Sequence, residues 1–149
     1  MASMEKEMNT KFPHDTHRAM SNIVFTGAWI KTQMESIIKP YGLTNPQFNI
    51  LRILRGAKDW LNMHEVRNRM VEKSPNTTRL CDKLVQKGFI LRERHDTDRR
   101  QVYLKISEKG LKYIAPLDDP QVLKPMDFLH NITNEEAREL SRILDKLRG

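Results

Sequence analysis

Apolar positions along the chain change their period several times, and each change marks an element. Between Thr16 and Lys39, the residues Met20, Ile23, Gly27, Ile30, Met34 and Ile37 recur in alternating steps of three and four. That spacing sets them on one stripe of a long helix, like a seam packed along another helix. Val24, Phe25, Trp29 and Ile38 fall partly off the stripe, so this helix needs two packing partners. Pro40 and Gly42 end it. Asn45-Pro46 opens the next helix, with a cap residue and then proline at the first helical position. Phe48, Leu51, Ile53 and Leu54 form its buried side, and Gly56 stops it. Asp59-Trp60-Leu61 reads as a short extended link. Asn62, with Glu65 three residues on, caps a third helix whose core positions are Val66 and Met70.

Ser74-Pro75 repeats the cap-plus-proline signal, and the helix it predicts, from Pro75 to Lys87, has two clean faces. Leu80, Cys81, Leu84 and Val85 share one face, with Thr77 beside them. Arg79, Asp82, Lys83 and Gln86 share the other, with Asn76 at its edge. Gly88 ends the helix. The period then drops to two: Ile90 to Arg94 and Val102 to Ile106 read as strands joined by the charged turn His95 to Arg100. Ser107 caps a further helix, which Pro116, Pro120 and Pro125 must interrupt. Thr133 and Glu136 form a capping box for a last helix with Ala137, Leu140, Leu144 and Leu147 on one stripe. The predicted fold class is therefore mainly α with a small β-hairpin.

Composition narrows the class. The 149 residues suit one domain, with 38% hydrophobic and 30% charged residues. No apolar run approaches the ~20 residues of a membrane helix, so no membrane partner is expected. Met1 to His14 lacks the apolar core of a signal peptide, and its first residues are expected to fray. A single cysteine rules out an intrachain disulfide and suits a cytoplasmic location. Charge changes the picture most. Between Pro46 and Ala115 the chain carries sixteen Lys or Arg against eight Asp or Glu, a net +8, while the flanks sum to −1. A cationic module between near-neutral flanks points to a polyanion.

Helices followed by a charged hairpin are the order of a winged helix-turn-helix. In such modules an exposed helix enters the major groove, and the wing reaches the backbone or the minor groove, where narrow grooves attract Arg. Three runs carry a more specific resemblance: Leu43-Thr44-Asn45-Pro46-Gln47-Phe48, Leu80 to Ile90, and Asp98-Arg99-Arg100 leading through Val102 to Ser107 and Gly110. In that order and spacing they resemble the MarR family, the multiple-antibiotic-resistance regulators. Ile106-Ser107 stands where the family carries Leu-Thr. The resemblance implies one domain over 1–149, with a winged helix-turn-helix at about 44–106. Dimerisation helices flank it at about 16–40 and 107–149. It implies a homodimer, a palindromic double-stranded DNA operator and a cytoplasmic repressor tuned by a small aromatic or anionic effector. The proline trio departs from the family's unbroken helix.

Candidate site residues follow. Asn76, Thr78, Arg79, Lys83 and Gln86 offer contacts to bases or phosphates, with Arg and Gln suited to guanine and adenine edges and Lys83 to phosphate. By resemblance, Asp98 holds the Arg100 guanidinium and Arg100 enters the minor groove. Arg99 meets a phosphate, and Arg92 and Arg94 do the same or solvate their strand. Met20, Phe25 and Trp29 are candidates for lining an effector pocket, with plain core packing as the alternative. Cys81 lies on a buried face and reads as inert packing rather than a redox sensor. The five scattered histidines make no metal site, and no cofactor is expected. Enzyme motifs such as a Gly-rich phosphate loop or Gly-x-Ser-x-Gly are absent, so no catalytic residue is assigned. The rival function is a winged-helix module for protein–protein contacts.

Overall fold

The computed structural model describes residues 3–73 and 75–149. In chain order these form α1 (Met4–Glu7), α2 (Asp15–Ile38), α3 (Asn45–Ala57), β1 (Leu61–Asn62), α4 (Met63–Arg69), α5 (Thr77–Gln86), β2 (Ile90–Arg94), β3 (Val102–Ile106), α6 (Glu108–Ile114) and α7 (Asn134–Arg148). Single 3₁₀ stretches at Lys39–Tyr41, Ala115–Asp118 and Lys124–Asn131 fill the joints. This is the winged helix-turn-helix arrangement, with long helical flanks on either side.

Local chemistry sets the boundaries, and in four places it differs from the sequence expectation. The cap of α3 is Thr44, not Asn45. Thr44 Oγ1 accepts the Gln47 N–H at 3.3 Å and Gln47 Oε1 accepts the Thr44 N–H at 3.1 Å, which leaves Pro46 second in the helix. That helix runs past Gly56 to Ala57, and Lys58 takes the left-handed turn at φ 61°. The link at Asp59 to Leu61 ends in a real strand. Leu61 and Asn62 pair antiparallel with Leu104 and Tyr103, so the wing is a three-stranded sheet in the order β1-β3-β2. α5 starts at Thr77 with Asn76 at its cap, two residues later than Pro75. Ser74 lies outside the described residues. Met1 and Ala2, the first residues expected to fray, lie outside the described residues; directly after them Met4–Glu7 forms one helical turn, with Met4 buried and Glu5 paired with Arg18 at 3.4 Å.

The core sits where α2 ends, between α3, α4, α5, the sheet and α6. Ile50, Leu51, Leu54, Val66, Leu84, Leu104 and Ile114 are fully buried there. Each such aliphatic side chain stabilises the fold by about 1.5–3 kcal/mol relative to leaving it exposed. The proline trio breaks the C-terminal arm as expected: α6 stops at Ile114, and Pro116 and Pro125 sit inside 3₁₀ stretches. The second stretch folds back on α2, where Phe128 meets Trp29 edge-on with centroids 4.5 Å apart. The first half of the α2 stripe, at Met20 and Ile23, and Leu140 and Leu147 of the α7 stripe remain exposed in the single chain. Met20 is 58% exposed, Leu140 50% and Leu147 67%.

Candidate nucleic-acid interface

The amphipathic pattern of α5 buries Thr77, Cys81 and Leu84 in the core. The same period turns Arg79, Lys83 and Gln86 out to solvent, with Asn76 exposed at the cap. Burial pushes the Cys81 thiol up to about 11, so it stays protonated at neutral pH. The far end of α5 is tied down by several bonds. Gly88 takes φ 76°, and its carbonyl accepts the Ser107 hydroxyl at 2.5 Å. Lys109 Nζ donates to the Lys87 carbonyl at 2.8 Å, and Lys87 Nζ donates to the Gly42 carbonyl at 3.1 Å. The exit of α5 is thereby fixed to the start of α6 and to the end of the 3₁₀ turn that follows α2.

Two side-chain bonds brace the exposed face of α5. Arg92 on β2 pairs with Asp82 at 2.5 Å, and Arg67 on α4 donates to Thr78 Oγ1 at 2.7 Å. Arg92 therefore spends its charge inside the protein, on the one acid of an otherwise basic helix face. Neither Arg67 nor the part played by Asp82 was found by sequence reasoning. The single available signal was an aspartate standing among Arg79, Lys83 and Gln86.

At the wing tip, Arg94, Asp98, Arg99 and Arg100 are all exposed. The tip is closed by the His95 N–H on the Gln101 carbonyl at 3.4 Å and the Gln101 N–H on the Asp98 carbonyl at 3.0 Å. Asp98 does not hold the Arg100 guanidinium. Its Oδ1 accepts the backbone N–H of Arg100 at 3.0 Å, and no ion pair joins the two side chains among the described residues. With Arg100 only two positions on, this local turn satisfies the carboxylate first and fixes the backbone from which Arg100 projects.

Met20, Phe25 and Trp29 do not line a cavity among those described. The apolar crevice in this region, about 280 Å³, opens on another face of α2, between it, α3 and the segment after α4. Ile30, Met34, Phe48 and Met70 form its apolar wall, and Lys31, Arg52 and Glu72 its charged rim. Lys31 reaches Glu72 across it at 2.9 Å, and that hydrogen bond holds the Lys31 ammonium above its ordinary range. α2 is apolar on two sides, and Ile30 and Met34, not Met20, Phe25 or Trp29, stand on the side that faces the crevice. Phe128, distant in sequence, packs edge-on against Trp29, which stays partly exposed.

Comparison with known proteins agrees with this geometry. The sequence model of the MarR family matches residues 43–102, which run from the residue before the α3 cap to the first residue of β3. An uncharacterised helix-turn-helix-type transcriptional regulator of Bacillus subtilis, YkoM, is 28% identical, with 89% of this chain and 87% of that protein covered. AbsC, a MarR family transcriptional regulator from Streptomyces coelicolor, superimposes with a TM-score of 0.76 at 23% identity, covering 94% of this chain and 99% of that one. A cysteine-to-serine mutant of MarR from E. coli, in complex with operator DNA, superimposes with a TM-score of 0.72 at 21% identity, covering 98% and 99%. The family's motifs stand in order, its fold is reproduced and its sequence model matches across the helix-turn-helix and into the wing, so over this module the chain is similar to the MarR-family transcriptional regulators.

Proposed function

We propose that this chain is a homodimeric transcriptional regulator that binds double-stranded DNA by sequence, with α5 in the major groove and the wing tip in the flanking minor groove. The observation that carries this reading is where the cationic excess goes. Arg79 and Lys83 project from α5, and Arg99 and Arg100 from the wing beside it. The wing and α5 suit grooves of different width. Lys83 and Arg99 serve phosphates, while Asn76, Arg79 and Gln86 face base edges. The whole chain acts as one unit, with residues 44–106 reading DNA and the flanks at 16–40 and 107–149 joining two copies. The exposed apolar residues Met20 and Ile23 of α2 and Leu140 and Leu147 of α7 support that pairing, and a two-fold dimer suits a palindromic operator.

The crevice between α2 and α3 is the better place for an effector. Its apolar wall suits an aromatic body and its Lys31 and Arg52 rim an anionic group. Buried Asn45 Oδ1 at its edge has no hydrogen-bond partner among the described residues. No helix among the described residues is long and apolar enough to cross a membrane. The likeness to MarR-family regulators supports action as a repressor in the cytoplasm rather than as an enzyme.

Sedimentation and salt titration test the reading together. At micromolar concentration the protein is expected at roughly twice the 17.6 kDa chain mass. The logarithm of its affinity for duplex DNA should fall with the logarithm of salt, by about 0.9 for each phosphate neutralised. A stable monomer, or a flat salt dependence, favours the protein-binding module instead.

A further inference from the structure

Between α4, the first turn of α5 and the wing lies a concave notch of about 520 Å³. Arg67, Thr78, Arg92, Arg100 and Gln101 stand on its wall. The three guanidinium groups are not equivalent. Arg92 is cancelled by Asp82 at 2.5 Å. Arg67 is held by a neutral oxygen, Thr78 Oγ1 at 2.7 Å, and Glu65 on its own helix is engaged with Arg69 instead, at 3.9 Å. Arg67 therefore brings a full positive charge into the notch, oriented by a bond that uses one of its five N–H donors.

The shape of DNA says what belongs there. The ridge that separates a major groove from its neighbouring minor groove is a single sugar–phosphate strand. A protein that sets α5 in one groove and the wing tip in the other must straddle that ridge, and the notch is the gap between those two elements. We infer that the notch seats one backbone phosphate of the operator strand in each half-site, with Arg67 as its charged donor. This rests on the placement of α5 and the wing proposed above. It makes α4 part of the binding surface, with a charge-assisted contact that sets how deeply α5 enters the groove without reading any base.

The test compares Arg67→Gln and Arg67→Lys with the parent dimer, on duplexes of a bound sequence and its scramble, by fluorescence anisotropy over a salt series. Gln keeps an N–H for Thr78 and removes the charge, whereas Lys keeps the charge. Arg67→Gln should lose about tenfold in affinity per half-site on both duplexes. Its salt slope should shrink by about 0.9 per half-site. Arg67→Lys should keep the parent's slope. A parent-like slope in Arg67→Gln overturns the phosphate seat while leaving DNA binding intact. A slope lost equally in both variants also overturns it, since a helix brace and not a charge is then responsible. Failure of the parent to bind any duplex sinks the underlying function instead.

Discussion

Replacing Arg100 with alanine is expected to cost operator binding at least about a hundredfold, because the dimer carries two wings and each charge-assisted contact contributes about 1.5–3 kcal/mol. The loss should be larger on the selected sequence than on a scrambled duplex, since a narrow minor groove is a property of sequence. Asp98 makes the test sharper. It lies beside Arg99 and Arg100 in a loop facing a polyanion, so simple Coulomb attraction predicts tighter binding when it is removed. The structure predicts otherwise, because Asp98 Oδ1 holds the Arg100 backbone N–H at 3.0 Å. Asp98→Ala releases that turn and should weaken binding. Asp98→Asn keeps the oxygen, loses the charge, and should bind as well as the parent or better. Tighter binding by Asp98→Ala would show that bulk charge, not the turn, governs the wing.

Gly110→Ala is the second large effect, and it acts on the fold. Gly110 is buried at the start of α6, where an added Cβ would collide with the backbone carbonyl of Phe89 and lie 3.0 Å from Ile106 Cγ1. The Phe89 carbonyl cannot retreat cheaply, since it accepts the Ser107 N–H at 2.9 Å, and Ser107 Oγ also caps α6 through the Gly110 N–H at 3.0 Å. Overpacking against such a fixed backbone should cost about 3 kcal/mol or more. The junction also anchors the exit of α5, so DNA binding should fall with stability. Gly56→Ala is the control of opposite sign. Its Cβ would meet nothing within 4 Å in the last turn of α3. It should stabilise by about 0.5–1 kcal/mol. Urea midpoints at equal protein concentration measure both, because a dimer's stability depends on concentration. A Gly110→Ala protein as stable as the parent would mean that α6 does not pack on Phe89 as described.

Those two predictions use contacts of different legibility. Both long strands, Ile90–Arg94 and Val102–Ile106, and the boxes Asn62/Glu65 and Thr133/Glu136 stood in the sequence, because period and capping are local. Thr44 was displaced by its neighbours: three adjacent residues offer a cap or a proline, and only Gln47, three residues after Thr44, breaks the tie. β1 has two residues, too few to show a period. At the interface, the pattern separated the buried face of α5 from the exposed one. It gave no access to the Arg92–Asp82 pair or to Arg67 on Thr78, which join different elements. Spacing brought Asp98 near Arg100 and left open which atom it would hold. The crevice was missed for a related reason: the two apolar sides of α2 look alike in sequence, and only the fold sets Phe128 against Trp29 on one and α3 along the other.

Selection of bound duplexes from a random-sequence library, followed by sequencing, tests the central claim most directly, because it asks at once for DNA binding, sequence preference and two-fold symmetry. A homodimer that sets one α5 in each of two major grooves should enrich a single inverted repeat, its half-site centres about 10–10.5 base pairs, or a multiple, apart. Recovery of no enriched sequence under low-salt conditions, or of an asymmetric site bound by one chain, would contradict a dimeric, sequence-reading regulator.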